Sequence, residues 1–206
     1  MTMDLVKALL VGICAAAPAG PVLLMVFQRS IRYGHRTGWV TGLGGTVCDT
    51  VWAAVSLLAI SLVHDYIDSY LGGLQVIGGL LIIGIGVAIA MSKQRASDAS
   101  ERENSKPGQY FLQALGCAFG NPGALAFMMV LVGLFRLSAA TLTVPVWLAV
   151  LFVAIGSCAY WWLVSLLLGK FGPRLRPGTQ ARVTRLSGIA VAVFGLVVVI
   201  RGITML

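Results

Sequence analysis

Charge is scarce in this chain, and negative charge scarcest: 206 residues carry 7 Asp and Glu against 15 Lys and Arg, with 2 His. Charged residues make up 11% of the sequence and hydrophobic ones 58%, where a soluble domain carries roughly 25% charged residues. That shortage excludes an ordinary water-facing skin and makes lipid the solvent. No metal-finger spacing, nucleotide-binding glycine loop or catalytic-triad pattern occurs, so the sequence offers no enzymatic step and no cofactor site. The formal charge of +8 would suit nucleic acid if the basic residues formed a stripe on a folded surface. They lie instead in short segments between apolar runs, which excludes that partner.

What is present is a series of six apolar runs, near 5–27, 38–62, 71–91, 110–135, 144–168 and 186–206, each close to or above the ~20 residues that a spanning helix needs. The fold class expected is an all-α integral membrane protein of six transmembrane helices. Residues 92–109, rich in Ser, Lys, Arg and Glu and ending in Pro107-Gly108, read as a solvated linker between a first three-helix unit (1–91) and a second (110–206). Lys7, an apolar run and Ala15-Ala16-Ala17 imitate a cleavable leader, but the run continues through Pro21 to Phe27, so the first helix is expected to stay.

Basic residues set the orientation. Arg29, Arg32 and Arg36 in 28–37, Lys93, Arg95, Arg102 and Lys106 in 92–109, and Lys170, Arg174, Arg176, Arg182 and Arg185 in 169–185 account for twelve of the 15. Lys7, Arg136 and Arg201 remain for the other side. Positive-inside bias places the three rich loops in the cytoplasm, with both termini and the connection bearing Asp65 and Asp68 outside. Each half then makes an odd number of crossings, so the halves run in opposite directions as inverted repeats. Tyr33, Trp39, Tyr66, Tyr70, Tyr110 and Trp147 fall near run ends and suit interfacial belts.

Two proline clusters interrupt apolar runs, Pro18-Ala19-Gly20-Pro21 in the first half and Asn121-Pro122-Gly123 in the second. Proline lacks a donor and frees the carbonyl four residues earlier, here those of Cys14, Ala17 and Ala118. Asn121 before Pro122 is a helix-start pattern, a favoured N-cap followed by a residue suited to the first helical turn, and Gly20-Pro21 reads similarly. Two half-helices starting near mid-bilayer would present N–H groups and a partial positive end to a carboxylate, and the freed carbonyls would receive an ammonium. The substrate-binding residues expected are therefore Pro18, Gly20, Pro21, Asn121, Pro122 and Gly123, together with Asp49. The plainer alternative is a pair of kinks closed by neighbouring helices.

Asp49 is the one carboxylate well inside an apolar run, where a charge costs roughly 2.5–3.5 kcal/mol. It is therefore protonated, paired or wetted, and is the candidate proton-coupling residue. A structural hydrogen bond, or a pair with Arg201, is the alternative. Gln75 and Gln113 read as interhelical hydrogen bonders. Gly34, Gly38 and Gly42, Gly116 and Gly120, and Gly188, Gly195 and Gly202 repeat at helical spacing and read as close-packing faces. Trp52, Trp161 and Trp162 read as packing residues, with a gate as the sharper alternative.

Taken in order, Pro18-Ala19-Gly20-Pro21, Arg29-Ser30, Gly34-His35-Arg36-Thr37-Gly38, Gly42-Leu43-Gly44, Asp49, Gly78-Gly79-Leu80-Leu81, Asn121-Pro122, Phe127, Leu186-Ser187-Gly188 and Phe194-Gly195 resemble the pattern of the LysE/RhtB family of amino-acid exporters along nearly the whole chain. The resemblance implies proton-motive-force-driven efflux of amino acids or close relatives across a bacterial inner membrane. The partners are a small-molecule substrate, a proton and the lipid bilayer; whether the chain pairs as a homodimer stays open. A divalent-metal exporter of the same superfamily is an alternative. No metal site is expected, however, because the first and fourth runs hold no acid or histidine beyond Asp4, and His35 and His64 lie at run ends. A transmembrane thiol electron carrier using Cys14 and Cys117, placed similarly before the two breaks, is a second alternative. Because cysteine is also an ordinary small apolar residue, the Cys14→Ala/Cys117→Ala double variant is expected to keep full export in a vesicle efflux assay. Abolished export with normal insertion would favour the thiol carrier.

Overall fold

The computed structural model describes residues 2–18, 20–62, 64–91, 107–171 and 179–204, and within them leaves out the side chains of 62, 64–72, 74, 75, 122, 179, 180, 183, 184 and 187. Ala19, the segments 92–106 and 172–178, and the side chains of Asp65, Tyr66, Asp68, Tyr70 and Gln75 thus lie outside the described residues. Eight α-helices make up the described chain: α1 (Thr2–Ala16), α2 (Pro21–Tyr33), α3 (His35–Leu62), α4 (His64–Met91), α5 (Pro107–Phe119), α6 (Pro122–Leu134), α7 (Val146–Phe171) and α8 (Thr179–Ile203). Helices follow from the solvent, since in hydrocarbon a segment must satisfy its own backbone groups.

Two helices, over His35–Ser61 and Val146–Phe171, are long and apolar enough to cross a membrane unbroken. Two more spans arise if each bent pair counts as one, α1 with α2 at 78° and α5 with α6 at 72°. Within α4 and α8 the apolar stretches among the described residues are shorter, Val76–Met91 and Gly188–Ile203. The breaks therefore fall at the two proline clusters read from the sequence.

Several connections are tighter than the sequence suggests. The loop expected at 28–37 shrinks to Gly34, because α2 runs through Tyr33 and α3 starts at His35; Gly34 turns the chain with φ 86°, a conformation glycine adopts without strain. Pro107 and Gly108, expected to close the linker, open α5, where a first-turn proline loses nothing. The connection that was to carry Asp65 and Asp68 is also absorbed, since α4 begins at His64.

Glycine sets how closely the helices approach. A Cβ on Gly12 would overlap the Val153 carbonyl, and one on Gly156 the Leu9 carbonyl, so α1 and α7 cross backbone to backbone. Gly44 makes the same crossing of α3 with α5: its added Cβ would lie 2.6 Å from Phe111 O and 2.7 Å from Leu115 N. Between α4 and α8 four glycines meet, Gly79 with Gly195 and Gly86 with Gly188. These are the seven-residue repeats of both helices brought face to face. Gly116 has open space around it, and Gly120 lies past the end of α5 against its own helix, so that pair is not a helix-packing face.

The contacts recur when the halves are exchanged. Gly156 sits over Leu9 and Ile13 as Gly44 sits over Phe111 and Leu115, which matches α1 to α5 and α3 to α7. Along α3, Gly38, Gly42 and Asp49 meet Ser165, Trp161 and Ser157 of α7 in turn, so these central helices run antiparallel. One end of the bundle collects the end of α2 and the starts of α3 and α5, where Arg29 meets Tyr110, along with the end of α7, where Gly169 touches His35. The opposite end joins the start of α1 to Thr143 through Asp4 (2.6 and 3.0 Å), and α3 to Ala139 through the Leu57 carbonyl.

Gly156→Val should lower the thermal midpoint of the detergent-solubilised protein, because overpacking a closed crossing costs about 1–3 kcal/mol. Gly84→Ala, with nothing within 4 Å of the added carbon, should leave it unchanged.

Candidate functional site

Both broken helices end and restart as their sequences dictate. Pro21 opens α2 behind Gly20, whose backbone is extended (φ −84°, ψ −176°) and supplies no side-chain cap. Pro122 opens α6 behind Asn121, whose Oδ1 accepts from the Gly123 N–H at 3.1 Å. Ala124 N–H donates to Asn121 O at 3.1 Å. The first turn of α6 has thus spent its donors on its own cap, contrary to the expectation of free N–H groups there. The α2 end is the one without a side-chain cap.

The three carbonyls released by proline all have partners. Cys14 O accepts from Ala17 N (3.3 Å), Ala118 O from Asn121 N (3.2 Å), and Ala17 O from the Tyr160 hydroxyl of α7 (3.4 Å). The first two closures are local turns, and the third comes from another helix. Even so the breaks are not covered: Ala17, Pro21, Gly120 and Asn121 are exposed on the chain.

Asp49 is half-buried on α3. Its Oδ2 accepts from the Ser157 hydroxyl of α7 at 2.7 Å, and Ser157 Oγ lies 3.3 Å from Thr46 Oγ1. Ser157 is fully buried. Among the described residues no ion pair involves Asp49; Arg201 is exposed on α8, which packs on α4, so the Asp49–Arg201 pair is not formed. Asp49 bonds to neither break directly. Helix α7 links Asp49 to the first break, since Ser157 and Tyr160 are three residues apart and one holds Asp49 while the other holds Ala17.

Around this centre Ala16, Val22 and Ala118, which flank the two breaks, share a buried cluster with Cys48 and Trp161. Trp161 lies along α3, where Cβ atoms on Gly42 and Gly45 would strike its ring at 2.7 and 3.1 Å, and its Nε1 has no hydrogen-bond partner. Under the exchange of halves Trp161 takes the place of Asp49, and Gly45 the place of Ser157. The two-fold pattern thus holds a carboxylate on one side and an indole on the other. Gly123 turns away from this centre, toward Ile85 of α4. Trp52 packs edge-on against Phe119 at 5.4 Å, and Trp162 is exposed. Among the described residues no three His, Cys, Asp or Glu side chains converge as a metal site would require, and all four cysteines are free thiols.

Arg29 differs most from its reading as a loop cation. It belongs to α2 and is 1% exposed. Its guanidinium donates to Thr41 Oγ1 (3.3 Å), the Tyr110 carbonyl (3.1 Å) and Gln113 Oε1, and lies 4.4 Å from the centre of the Tyr110 ring. Gln113 is therefore an interhelical hydrogen bonder, as read. Tyr110 is buried against Tyr33 (5.9 Å, stacked) and not part of an interfacial belt. A short polar run near a helix end reads as a loop in one dimension, and nothing in the run around Arg29 marks it as buried.

Apolar helices, two pairs of them bent at a proline break, with a half-buried carboxylate between α3 and α7, make up a membrane transport protein. The LysE type translocator model matches residues 13–202, and the chain belongs to that family. Comparisons with curated proteins and with solved structures give no match.

Asn121→Ala should destabilise the protein by about 1 kcal/mol, the usual worth of an N-cap acceptor, read as a lowered thermal midpoint in detergent. Asn121→Ser, which keeps an acceptor oxygen, should recover most of the loss.

Proposed function

We propose that this translocator exports amino acids or close derivatives from the bacterial cytoplasm in exchange for protons, by alternating access and without a chemical step. The observation that carries the reading is Asp49 bonded to Ser157 between antiparallel α3 and α7, with α7 also holding the carbonyl of the first broken helix. A carboxylate in that position exchanges its proton for a substrate ammonium. The α2 end, where Gly20 leaves the first turn uncapped, receives the substrate carboxylate through backbone N–H groups and the helix dipole. Pro18, Gly20, Pro21 and Asp49 then form the primary contacts, and Asn121, Pro122 and Gly123 shape the second break, whose own donors are already used.

The fold proposed is six spans in two inverted-topology repeats, 1–91 and 110–206, joined by the linker 92–109. The exchange of contacts between halves supports it, as does the antiparallel pairing of α3 with α7 and of α4 with α8. The end that gathers Arg29, Arg32, Arg36 and Lys170 is assigned to the cytoplasm and both termini to the outside of the inner membrane.

A panel of radiolabelled amino acids in inverted vesicles tests the cargo. With a transported substrate in hand, Asp49→Asn should cut proton-driven transport about tenfold or more, the loss expected of a group worth over ~1.4 kcal/mol in the cycle, while substrate exchange without net proton movement continues. Unchanged pH-dependent transport in a normally inserted Asp49→Asn variant would remove Asp49 as the coupling group. Transport of divalent metal and of no amino acid would replace the cargo.

A further inference from the structure

We infer that Arg29 is a latch: by bridging α2 to α5 it closes the basic end of the transport path, which opens when Arg29 leaves Tyr110 and Gln113. Burying a guanidinium is costly unless its donors are met. Here the fork reaches a hydroxyl on α3 and both a backbone carbonyl and a side-chain amide on α5. The guanidinium carbon lies 4.4 Å from the centre of the Tyr110 ring, Tyr110 stacks on Tyr33, and Arg32 lies 5.4 Å from the centre of the Tyr33 ring. Cation, ring, ring and cation thus form one column spanning the first broken helix and the second.

Three observations make this column a latch and not a fixed strut. Three of the helix pairs, α1 with α7, α3 with α5 and α4 with α8, are glycine crossings with backbone against backbone. Among the described residues α2 and α5 share no such crossing; they meet through the Arg29 column and through an apolar cluster that includes Val22, Val26, Ala114 and Ala118. A polar contact whose groups water can take over parts more readily than a closed backbone crossing.

The matching place in the other half needs no charge. Exchange of the halves carries Tyr110, Gln113 and Thr41 onto Ala8, Val11 and Val153, which with Leu131 of α6 form a buried apolar cluster. Apolar packing fills that place, with the Asp4–Thr143 hydrogen bonds farther along α1, so the arginine is not a requirement of the architecture.

The order along α3 gives the third observation. Thr41 meets the latch, Gly42 and Gly45 seat Trp161, and Asp49 follows. The latch and then the indole therefore stand between the basic end and the carboxylate.

The inference rests on the transport reading but not on the cargo, and its test uses no substrate. Cys48, 2% exposed and next to Asp49, is a native reporter once Cys14, Cys117 and Cys158 are replaced by alanine. In inside-out vesicles, a membrane-impermeant thiol reagent should modify Cys48 about tenfold faster in Arg29→Gln than in its Arg29 parent, the shift expected when hydrogen bonds to a charged group are lost. From the opposite face the rates should be equal. Equal rates from the basic side, or equal acceleration from both sides, would overturn the latch. If Arg29→Gln does not insert, Gln113→Leu decides. It removes one acceptor, so a smaller acceleration confined to the basic side supports the latch and none overturns it. Failure of amino-acid transport alongside one-sided acceleration would overturn the cargo reading and leave the latch standing.

Discussion

A helix broken in hydrocarbon leaves backbone groups that no solvent will satisfy, and the rest of this structure is arranged around meeting them. Cys14 O and Ala118 O are met within their own turns, whereas Ala17 O is met by Tyr160 from α7. That last bond ties the first break to the same helix face that holds Asp49 through Ser157. Because α7 is itself locked to α1 at Gly12 and Gly156, the break, the carboxylate and the central helices form one connected unit. The local need to satisfy a carbonyl thus becomes the geometry of a site.

The two halves share a plan but divide its chemistry unequally. Equivalent crossings at Gly44 and Gly156 fix the register, and in that register Asp49 and Trp161 occupy one position, as do Ser157 and Gly45. One half carries the group able to take a proton, and the other carries a ring seated in a glycine slot. The caps differ in the same way. Asn121 closes α6 with its own side chain, while Gly20 leaves α2 without one, so only one of the two helix starts keeps donors for a ligand.

Much of this was legible in one dimension because the controlling physics is local. Proline and its neighbours place the breaks at Gly20-Pro21 and Asn121-Pro122, since a missing N–H acts within four residues. Composition alone assigns the chain to lipid, and the isolation of Asp49 in an apolar run marks it as a group needing a reason. The seven-residue glycine spacing in α8 also carried its meaning, although its partners in α4 did not announce themselves. Residues 28–37 misled: Arg29, Arg32 and Arg36 look like a basic loop, but the helix continues through Tyr33 and the turn is a single glycine. A charge in a short polar run has no sequence mark that separates solvent from a buried acceptor.

What the sequence by itself determined, then, is the solvent, the helical class, the places where helices fail and the identity of the one acid inside an apolar run. Each depends on a residue and its near neighbours. Tertiary structure alone decided which groups answer them: Ser157 and not Arg201 for Asp49, Tyr160 for Ala17, Gln113 and the Tyr110 carbonyl for Arg29, and a slot between Gly42 and Gly45 for Trp161. Those partners are some eighty to 145 positions apart in the chain. Only the packing of antiparallel helices brings them within bonding distance, and no pattern confined to either segment encodes the meeting.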